Sequence, residues 1–249
     1  MKKIPSNIEK KIFGDVFNRK KVLNKLMKNK KNKIIFDVGA NVGQSVFDFF
    51  ESLNSIKKIH CFEPNQLLSD IFIKNTQKYK KKLILNNNAL GPLNKKIQFF
   101  LNEYSTLSSF YKIPKNSKFF INKTKLNNYF LGQKKIYVNQ IRIDDYVNKN
   151  NIPKIDILKI DTQGYDIEVL KGAISTIKKN KIDIIISELL FNFGLYKIKN
   201  SFKEIEDILA DQYLLWDISF LYKNPKFHCL DYVDAIYVNK KFLKLNKFI

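Results

Sequence analysis

The chain has 249 residues, 45% of them hydrophobic, which suits one α/β domain with a sizeable core. Its formal net charge is +22, but the lysines are spread along the whole chain together with many Asn and Ile residues. That composition is typical of an AT-rich genome, so we interpret most of the charge as solvated surface and keep a nucleic-acid partner as the alternative. No apolar run is long enough to span a bilayer, and the basic start lacks a signal-peptide core, which predicts a soluble, cytoplasmic protein. Two cysteines, Cys61 and Cys229, exclude a disulfide framework and match no metal spacing.

Apolar periodicity divides the chain into alternating helices and strands. A helical N-terminal arm is predicted over residues 1–30, ahead of one domain over residues 31–249. Strands are predicted at residues 33–37, 56–62, 83–88, 155–160, 182–186, 213–218 and 233–238, with helices at 44–53, 65–78, 143–150, 166–178 and 202–209. Two further strands, 96–101 and 136–141, bracket an irregular insertion of about residues 102–135. Such alternation predicts an α/β fold, a parallel sheet covered by helices on both faces.

Polar side chains stand at the ends of the predicted strands. They are Asp37, Glu63, Asn88, Asp161 and Glu188. Ligands of parallel sheets bind beyond the carboxyl ends of the strands, near the point where strand order reverses. The sequence therefore predicts a ligand site at this edge.

The junction after the first strand reads D-V-G-A-N-V-G over residues 37–43. Glycines there allow a tight turn and close approach of a ligand, and the next helix presents unpaired amides. The spacing lacks the third glycine of a dinucleotide fingerprint, which argues against a nicotinamide-dependent oxidoreductase. An acid before the first glycine suits a cationic amino group, and Glu63 is placed to accept from two ribose hydroxyls. These features favour S-adenosylmethionine, and we interpret the glycines as making room for it.

Four stretches resemble the FkbM family of S-adenosylmethionine-dependent class I methyltransferases. They are F-D-V-G-A-N-V-G-Q-S at 36–45, H-C-F-E-P-N at 60–65, D-I-L-K-I-D-T-Q-G-Y-D-I-E-V-L-K-G-A at 156–173 and D-Y-V-D-A-I-Y-V-N at 231–239. The resemblance spans roughly residues 31–241. It implies a Rossmann-like three-layer sandwich with a seven-stranded, mostly parallel sheet and an antiparallel last strand. It also implies O-methylation of sugars or other small hydroxyl compounds.

Matching positions imply a cofactor site. Its methionine side would be lined by Asp37, Gly39, Asn41 and Gly43, its ribose would be held by Glu63, and its adenine would be edged by Asn88 and Ala89. Other readings stay open, because Glu63 could simply end a strand before a turn proline and Asn41 could serve a left-handed turn. Asn86 and Asn87 are turn formers of the same kind as Asn88.

A hydroxyl acceptor must lose its proton, so a general base is expected near the strand ends. Asp161 is the first candidate and Glu188 the second, although Asp161 could instead cap the following helix. His228, in a loop before the last strand, is a third candidate, whereas His60 within a strand reads as a core histidine. Many family members have Glu where this chain has Gln163, which weakens a metal or base role there. We assign no metal, because two carboxylates lack an obvious third ligand.

The acceptor is predicted to be a small hydroxyl compound, such as an anionic sugar or a glycan precursor. The segment Y-S-T-L-S-S-F-Y, residues 104–111, either covers the acceptor or is a plain surface loop. An RNA-binding protein or RNA methyltransferase on the same fold is the alternative that the charge allows. Two observations argue against a base methylase. After the fourth core strand this chain has D-T-Q-G, whereas methylases that act on base amino groups have N/D-P-P-Y/F/W there. Carbon-5 methylases need a nucleophilic cysteine, and neither cysteine here has the sequence context of one.

Overall fold

The computed structural model describes residues 17–113, 133–191, 202–223 and 228–249. The helices are α1 Phe17–Met27, α2 Gln44–Ser52, α3 Ser69–Asn75, α4 Ile143–Lys149, α5 Asp166–Lys171, α6 Ile174–Lys178, α7 Phe202–Leu209 and α8 Lys240–Leu245. The strands are β1 Lys33–Val38, β2 Ile56–Phe62, β3 Leu83–Asn86, β4 Ala89–Leu90, β5 Lys95–Leu101, β6 Lys134–Ile141, β7 Ile155–Ile160, β8 Ile182–Leu190, β9 Tyr213–Lys223 and β10 Leu230–Asn239. Short 3-10 turns cover Gln66–Leu68, Gln77–Lys82 and Ser105–Leu107.

The main sheet has seven strands in the order β3-β2-β1-β7-β8-β10-β9. Strands β1, β2, β3, β7 and β8 pair in parallel, whereas β10 runs antiparallel to both β8 and β9. This confirms the predicted mostly parallel α/β sheet with an antiparallel last strand. Strand order reverses between β1 and β7, so the carboxyl ends of these two strands border the crevice where such sheets bind ligands.

Two hydrophobic clusters cover the two faces of the sheet. One is centred on residues such as Leu158, Leu170 and Ile185, and the other on residues such as Ile35, Phe49 and Ile236. Strand β7 is buried along its whole length, as its I-D-I-L-K-I sequence predicts for a central parallel strand. Leu23, Leu26 and Met27 of α1 are also buried in the second cluster, so this helix packs on the sheet.

A second sheet of three strands, β4-β6-β5, stands beside the main one. Strands β5 and β6 pair antiparallel across the insertion, whose residues 114–132 lie outside the described part of the chain. The predicted helix over 166–178 is two helices, α5 and α6, separated at Gly172. A Cβ on Gly172 would stand 2.1 Å from the carbonyl oxygen of Gly91, so this helix break packs directly on the second sheet's connection. The domain boundary at residue 30 and the limits of the insertion stay predictions.

Candidate functional site at the carboxyl edge of the sheet

The β1–α2 turn contains two glycines that neighbouring protein atoms approach closely. Gly39 has φ +82°, and a Cβ there would stand 1.9 Å from the carbonyl oxygen of Asp161, which follows β7. Gly43 has φ +92°, and its Cβ would stand 2.5 Å from Cγ2 of Thr76. Both positions therefore require glycine because of the left-handed backbone and the approach of other protein segments. That the same turn also makes room for the cofactor stays a prediction.

Glu63 links the turn to the end of β2. Its Oε2 accepts from the backbone N–H of Asn41 at 2.9 Å, and its Oε1 accepts from the backbone N–H of Asn65 at 2.9 Å. Burial raises the pKa of Glu63 to about 7, and the two N–H donors oppose that rise. The carboxylate is thus held in a fixed orientation with lone pairs left for further donors.

The three asparagines after β3 have different surroundings. The Asn86 side chain accepts from the hydroxyl of Tyr146 at 3.3 Å, and the Asn87 amide donates to Ser69 Oγ at 2.9 Å. The Asn88 side chain is half-buried and makes no hydrogen bond within the described residues. Ala89 is buried and begins β4. Asn88 therefore has an uncommitted side chain, and Asn87, which lines the groove described below, uses only its amide nitrogen.

An open groove of about 350 Å³ begins at Pro64, the residue that follows Glu63 in the chain. One wall is the segment after β2, with Pro64, Asn65 and Leu67, together with Asn87. The other wall is the second sheet, mainly β6 at residues 134–139 with Lys96 and Leu101 of β5. This volume falls within the range of about 300–1,000 Å³ that is usual for small-molecule pockets.

Lys159 joins two of the predicted site residues. Its Nζ lies 3.5 Å from Oδ1 of Asp37 and 3.3 Å from Oδ2 of Asp161, and the side chain is 9% exposed. Burial by itself lowers the pKa of Lys159, but Asp161 and Asp37 outweigh it and raise the pKa, so the ammonium stays charged. Asp37 also accepts from Ser45 Oγ at 2.6 Å. Sequence reasoning missed Lys159, although a lysine between the apolar residues Leu158 and Ile160 of a central strand was a usable signal.

Carboxylates crowd the ends of β7 and β8, which are neighbours in the sheet. Asp161 is half-exposed, and its Oδ1 accepts from Nε2 of Gln163 at 3.2 Å. Burial raises the pKa of Glu188, and the negative charges of Asp161 and Asp166 raise it further. Oε2 of Glu188 is buried and accepts no hydrogen bond from any described residue. Asp161 and Glu188 thus lie on adjacent strand ends, as predicted.

Asp166 is a second buried carboxylate that sequence reasoning did not single out. One of its oxygens accepts from the Thr162 hydroxyl at 2.6 Å, and the other accepts from Ser187 Oγ at 3.1 Å and from the backbone N–H of Glu188 at 3.1 Å. Burial raises its pKa to about 6, against the lowering by the Thr162 hydroxyl. Asp166 therefore links the turn after β7 to β8 and holds the backbone of Glu188.

The two histidines differ in their placement. His60 is buried and its Nδ1 lies 2.9 Å from the hydroxyl of Tyr146, while burial lowers its pKa to about 4. These contacts are those of a core histidine. His228 is exposed on the loop that precedes β10, which begins at the carboxyl edge of the sheet because β10 is antiparallel. The structure places no bond between His228 and either Asp161 or Glu188.

The segment 104–111 is tied to both functional turns. Ser105 Oγ donates to Oδ1 of Asn41 at 3.0 Å, and Ser109 Oγ donates to the carbonyl oxygen of Gln163 at 3.0 Å. Phe110 of the same segment packs on Tyr165, with ring centroids 4.2 Å apart. The segment therefore lies over the crevice between β1 and β7, and Ser105 and Ser109 are contacts that sequence reasoning did not name.

Within the described part of the chain, no group of three His, Cys, Asp or Glu residues is arranged to hold a metal ion. None of the described helices is long and apolar enough to cross a membrane.

The strand order with a reversed last strand, a glycine turn after β1 and an acid ending β2 together define the class I methyltransferase architecture. A family description of the methyltransferase FkbM domain matches residues 37–214, more than two thirds of the chain. The chain belongs to the FkbM methyltransferase family, as its motifs predicted, and S-adenosylmethionine is its cofactor.

Solved structures share the fold. The methyltransferase FkbM of Methylobacillus flagellatus is 14% identical with a TM-score of 0.51, and the match covers 84% of this chain but only 43% of that protein. An rRNA methylase of Streptococcus thermophilus is 8% identical over 86% of this chain and 91% of its own, with a TM-score of 0.45. Fibrillarin of Aeropyrum pernix with bound S-adenosylmethionine is 8% identical over 84% of this chain and 67% of its own, with a TM-score of 0.42. At such identities only the fold is informative. Comparison with curated proteins gives no match.

The residues present fit this cofactor. Glu63 offers oriented carboxylate oxygens to ribose hydroxyls, and the adjoining groove has room for a nucleoside. Oδ1 of Asp37 is buried and has no hydrogen-bond donor among the described residues, although the Nζ of Lys159 lies 3.5 Å from it.

Proposed function

We propose that this chain transfers a methyl group to a hydroxyl of a small carbohydrate acceptor. The observation that carries the proposal is the buried Oε2 of Glu188, which lacks a donor among the described residues and stands on the strand next to Asp161. When bound, S-adenosylmethionine supplies an electrophilic methyl group on its sulfonium. The chain's own task is then to position the acceptor and to take its proton.

In this proposal Glu188 is the general base. Its raised pKa makes it a stronger proton acceptor than an ordinary carboxylate, and Asp166 holds its backbone in place. The acceptor O–H bond breaks, and the proton passes to Oε2 of Glu188. Asp161, held by Lys159 and Gln163, accepts a hydrogen bond from a neighbouring hydroxyl and orients the acceptor. His228 stays a proposed contributor from the loop before β10.

The cofactor residues complete the proposal. Glu63 holds the ribose, Asn88 and Ala89 edge the adenine, and Asp37 accepts from the amino group. Asn41 lines the methionine side through its turn backbone, with Gly39 and Gly43 setting the shape of that turn. Positioning donor and acceptor together can supply roughly 7–11 kcal/mol of the barrier.

The acceptor class rests on the polarity of the crevice. Asp161, Thr162, Gln163 and Gly164 are all partly exposed there, and their hydrogen-bonding groups suit a polyhydroxylated compound such as an anionic sugar or a glycan precursor. We propose the cytoplasm as the location of this protein. An RNA acceptor is the second candidate, because the net charge of +22 favours a polyanionic partner.

The test is transfer of radiolabelled methyl groups to sugars, nucleotide sugars and RNA, with the wild type, Glu188→Gln and Asp161→Asn. We expect label on a sugar hydroxyl and a loss of about 10²–10⁴-fold in kcat for Glu188→Gln, with unchanged cofactor affinity. Asp161→Asn should mainly raise the KM for the acceptor, because its proposed role is orientation. Label on RNA alone would replace the carbohydrate proposal by the RNA candidate. Full activity of Glu188→Gln would remove Glu188 as the base.

A further inference from the structure

The parallel sheet collects lysine-rich segments from distant parts of the sequence on one edge. Four of these segments, residues 28–33, 57–58, 78–82 and 178–181, precede or begin the parallel strands β1, β2, β3 and β8 and so lie at their amino ends. Residues 240–247 join them, because the antiparallel β10 ends at this edge. We call these five segments the lysine edge.

Direct contacts show that the segments are neighbours. Nζ of Lys58 donates to the carbonyl oxygen of Lys81 at 2.9 Å, and the Lys33 backbone N–H donates to Ser55 at 2.9 Å. The Asn239 amide donates to Oδ1 of Asn180 at 2.9 Å, which links the start of the 240–247 segment to the 178–181 segment. Strand β7 joins these two groups of segments at its amino end, since Asp156 pairs with Lys30 and the backbone N–H of Ile155 donates to the carbonyl oxygen of Lys181.

Few carboxylates balance this surface. Asp156 is buried and pairs with Lys30 at 3.2 Å, and Asp183 is buried and pairs with Lys154 at 2.6 Å. Among the exposed acids at this edge, Glu51 forms an ion pair with Lys20. Asp211 forms no ion pair with a described residue. Most exposed lysines of the edge have no carboxylate partner in the described part of the chain, so their charge is directed to solvent.

The opposite edge holds the candidate site. Its carboxylates Asp37, Glu63 and Asp166 are buried, and Lys159 compensates the charges of Asp37 and Asp161. Docking through the lysine edge would therefore leave this site on the far side of the molecule, away from the anionic surface.

Apolar side chains stand among the lysines. Leu245 is 71% exposed and Ile249 is 59% exposed, next to the exposed Lys244 and Lys247. Phe242 and Leu243 are buried in the core and anchor this segment to the sheet. Basic residues combined with exposed apolar side chains are the two signals that bind a protein to the surface of an anionic membrane.

We propose that the lysine edge docks this protein onto a membrane surface rich in anionic phospholipids. The partner fits better than nucleic acid for two reasons. The chain has only two arginines, Arg19 and Arg142, and both are engaged with carboxylates, so the residue best suited to bidentate phosphate recognition is absent from this edge. The aromatic rings here, Phe50 and Tyr79, are stacked on each other at 3.9 Å and are not free to stack on bases.

The test is cosedimentation of the full chain with vesicles of phosphatidylglycerol and phosphatidylcholine, against vesicles of phosphatidylcholine alone. The variant replaces four exposed lysines of the edge by Gln at positions 80, 81, 178 and 179. The matched control replaces four exposed lysines outside the edge by Gln at positions 95, 112, 135 and 203. Thermal unfolding of both proteins verifies that they fold.

We expect the wild type to bind the anionic vesicles only, and to dissociate when salt rises from about 0.1 M to about 0.5 M. The edge variant should lose at least about tenfold in affinity, whereas the control should change much less. Leu245→Ser should weaken vesicle binding further without affecting the fold. Equal losses in the edge variant and the control would overturn the proposal, because net charge alone would then explain binding. Tight binding of single-stranded RNA by the wild type, lost in the edge variant and without vesicle binding, would overturn it in favour of a nucleic-acid partner.

Discussion

At the residue scale, the burial of Glu63 makes the stability of the fold depend on pH. Its pKa is raised from 4.5 to about 7 because burial disfavours the charged form. A raised pKa means that the folded chain binds this proton more tightly than the unfolded chain. Its contribution to the free energy of unfolding is therefore full below about pH 4.5 and is lost as the pH rises toward 7. Ribose hydroxyls prefer the charged carboxylate, so cofactor binding has the opposite dependence.

We expect the affinity for S-adenosylhomocysteine to fall by about fivefold to tenfold when the pH is lowered from about 8 to about 6, as Glu63 becomes protonated. Calorimetric titration at three pH values measures this change. Glu63→Gln is neutral at every pH, so its affinity should be lower and should vary less over the same range. Parallel pH dependence in the two proteins would assign the effect to another group.

The charged side chains Lys159, Asp37 and Asp161 compensate one another at the site. Lys159 stands between Asp37 and Asp161, and its ammonium compensates two carboxylates that parallel pairing of β1 and β7 brings together. Breaking such a pair generally costs more than the pair contributes, since an unpaired charge is left buried. This explains why a lysine occupies a position in the buried central strand β7.

At the scale of elements, the segment 104–111 is held over the crevice by side-chain hydrogen bonds. Ser105 links it to the β1–α2 turn, and Ser109 links it to the turn after β7. Each neutral hydrogen bond of this kind contributes about 1 kcal/mol. Whether the segment also covers the acceptor is a prediction that removal of these bonds tests.

The double variant Ser105→Ala, Ser109→Ala should raise the KM for the acceptor several-fold and increase amide hydrogen exchange in residues 102–111. The free energy of unfolding should fall by no more than about 3 kcal/mol, because three hydrogen bonds are lost without a cavity: the two that these hydroxyls donate and the one that Ser109 Oγ accepts from the backbone N–H of Tyr111. Ser108→Ala offers a control in the same segment, since Ser108 Oγ accepts only from the backbone N–H of Asn102 within the described residues. Unchanged KM and exchange in the double variant would show that the segment does not cover the acceptor.

Over the whole molecule, the charge of +22 opposes compaction, because like charges repel more strongly in the folded state. Salt screens this repulsion, with a Debye length of about 10 Å at 0.1 M. We expect the unfolding temperature to rise by a few degrees between about 0.05 M and about 0.3 M NaCl, as measured by calorimetry. A falling unfolding temperature would mean that internal ion pairs, such as those of Arg19 with Asp48 and Asp234, outweigh the surface repulsion.

Sequence patterns predicted most of the sheet because its strands are buried on both faces. The strand predicted at residues 155–160 has the observed limits, because a short, mostly apolar run between turn residues is typical of a buried strand. The sequence did not predict strand β4 or the second sheet that it joins. A strand of two residues, Ala89–Leu90, is too short to show an alternating apolar pattern. Helix α8 was missed for a similar reason, as six residues of K-K-F-L-K-L are too short for a helical pattern.

The sequence by itself determined the family, the cofactor and the set of strand-end polar residues, because these depend on local motifs and on burial. Only the tertiary structure decided why Gly39 must be glycine, since the atom that excludes a side chain is a carbonyl oxygen of Asp161, more than one hundred residues away. It also decided the partners of Lys159, the anchoring of the segment 104–111 and the joining of separate lysine runs into one edge. Each of these depends on which strands become neighbours. That order is fixed by long-range packing, which no local pattern contains.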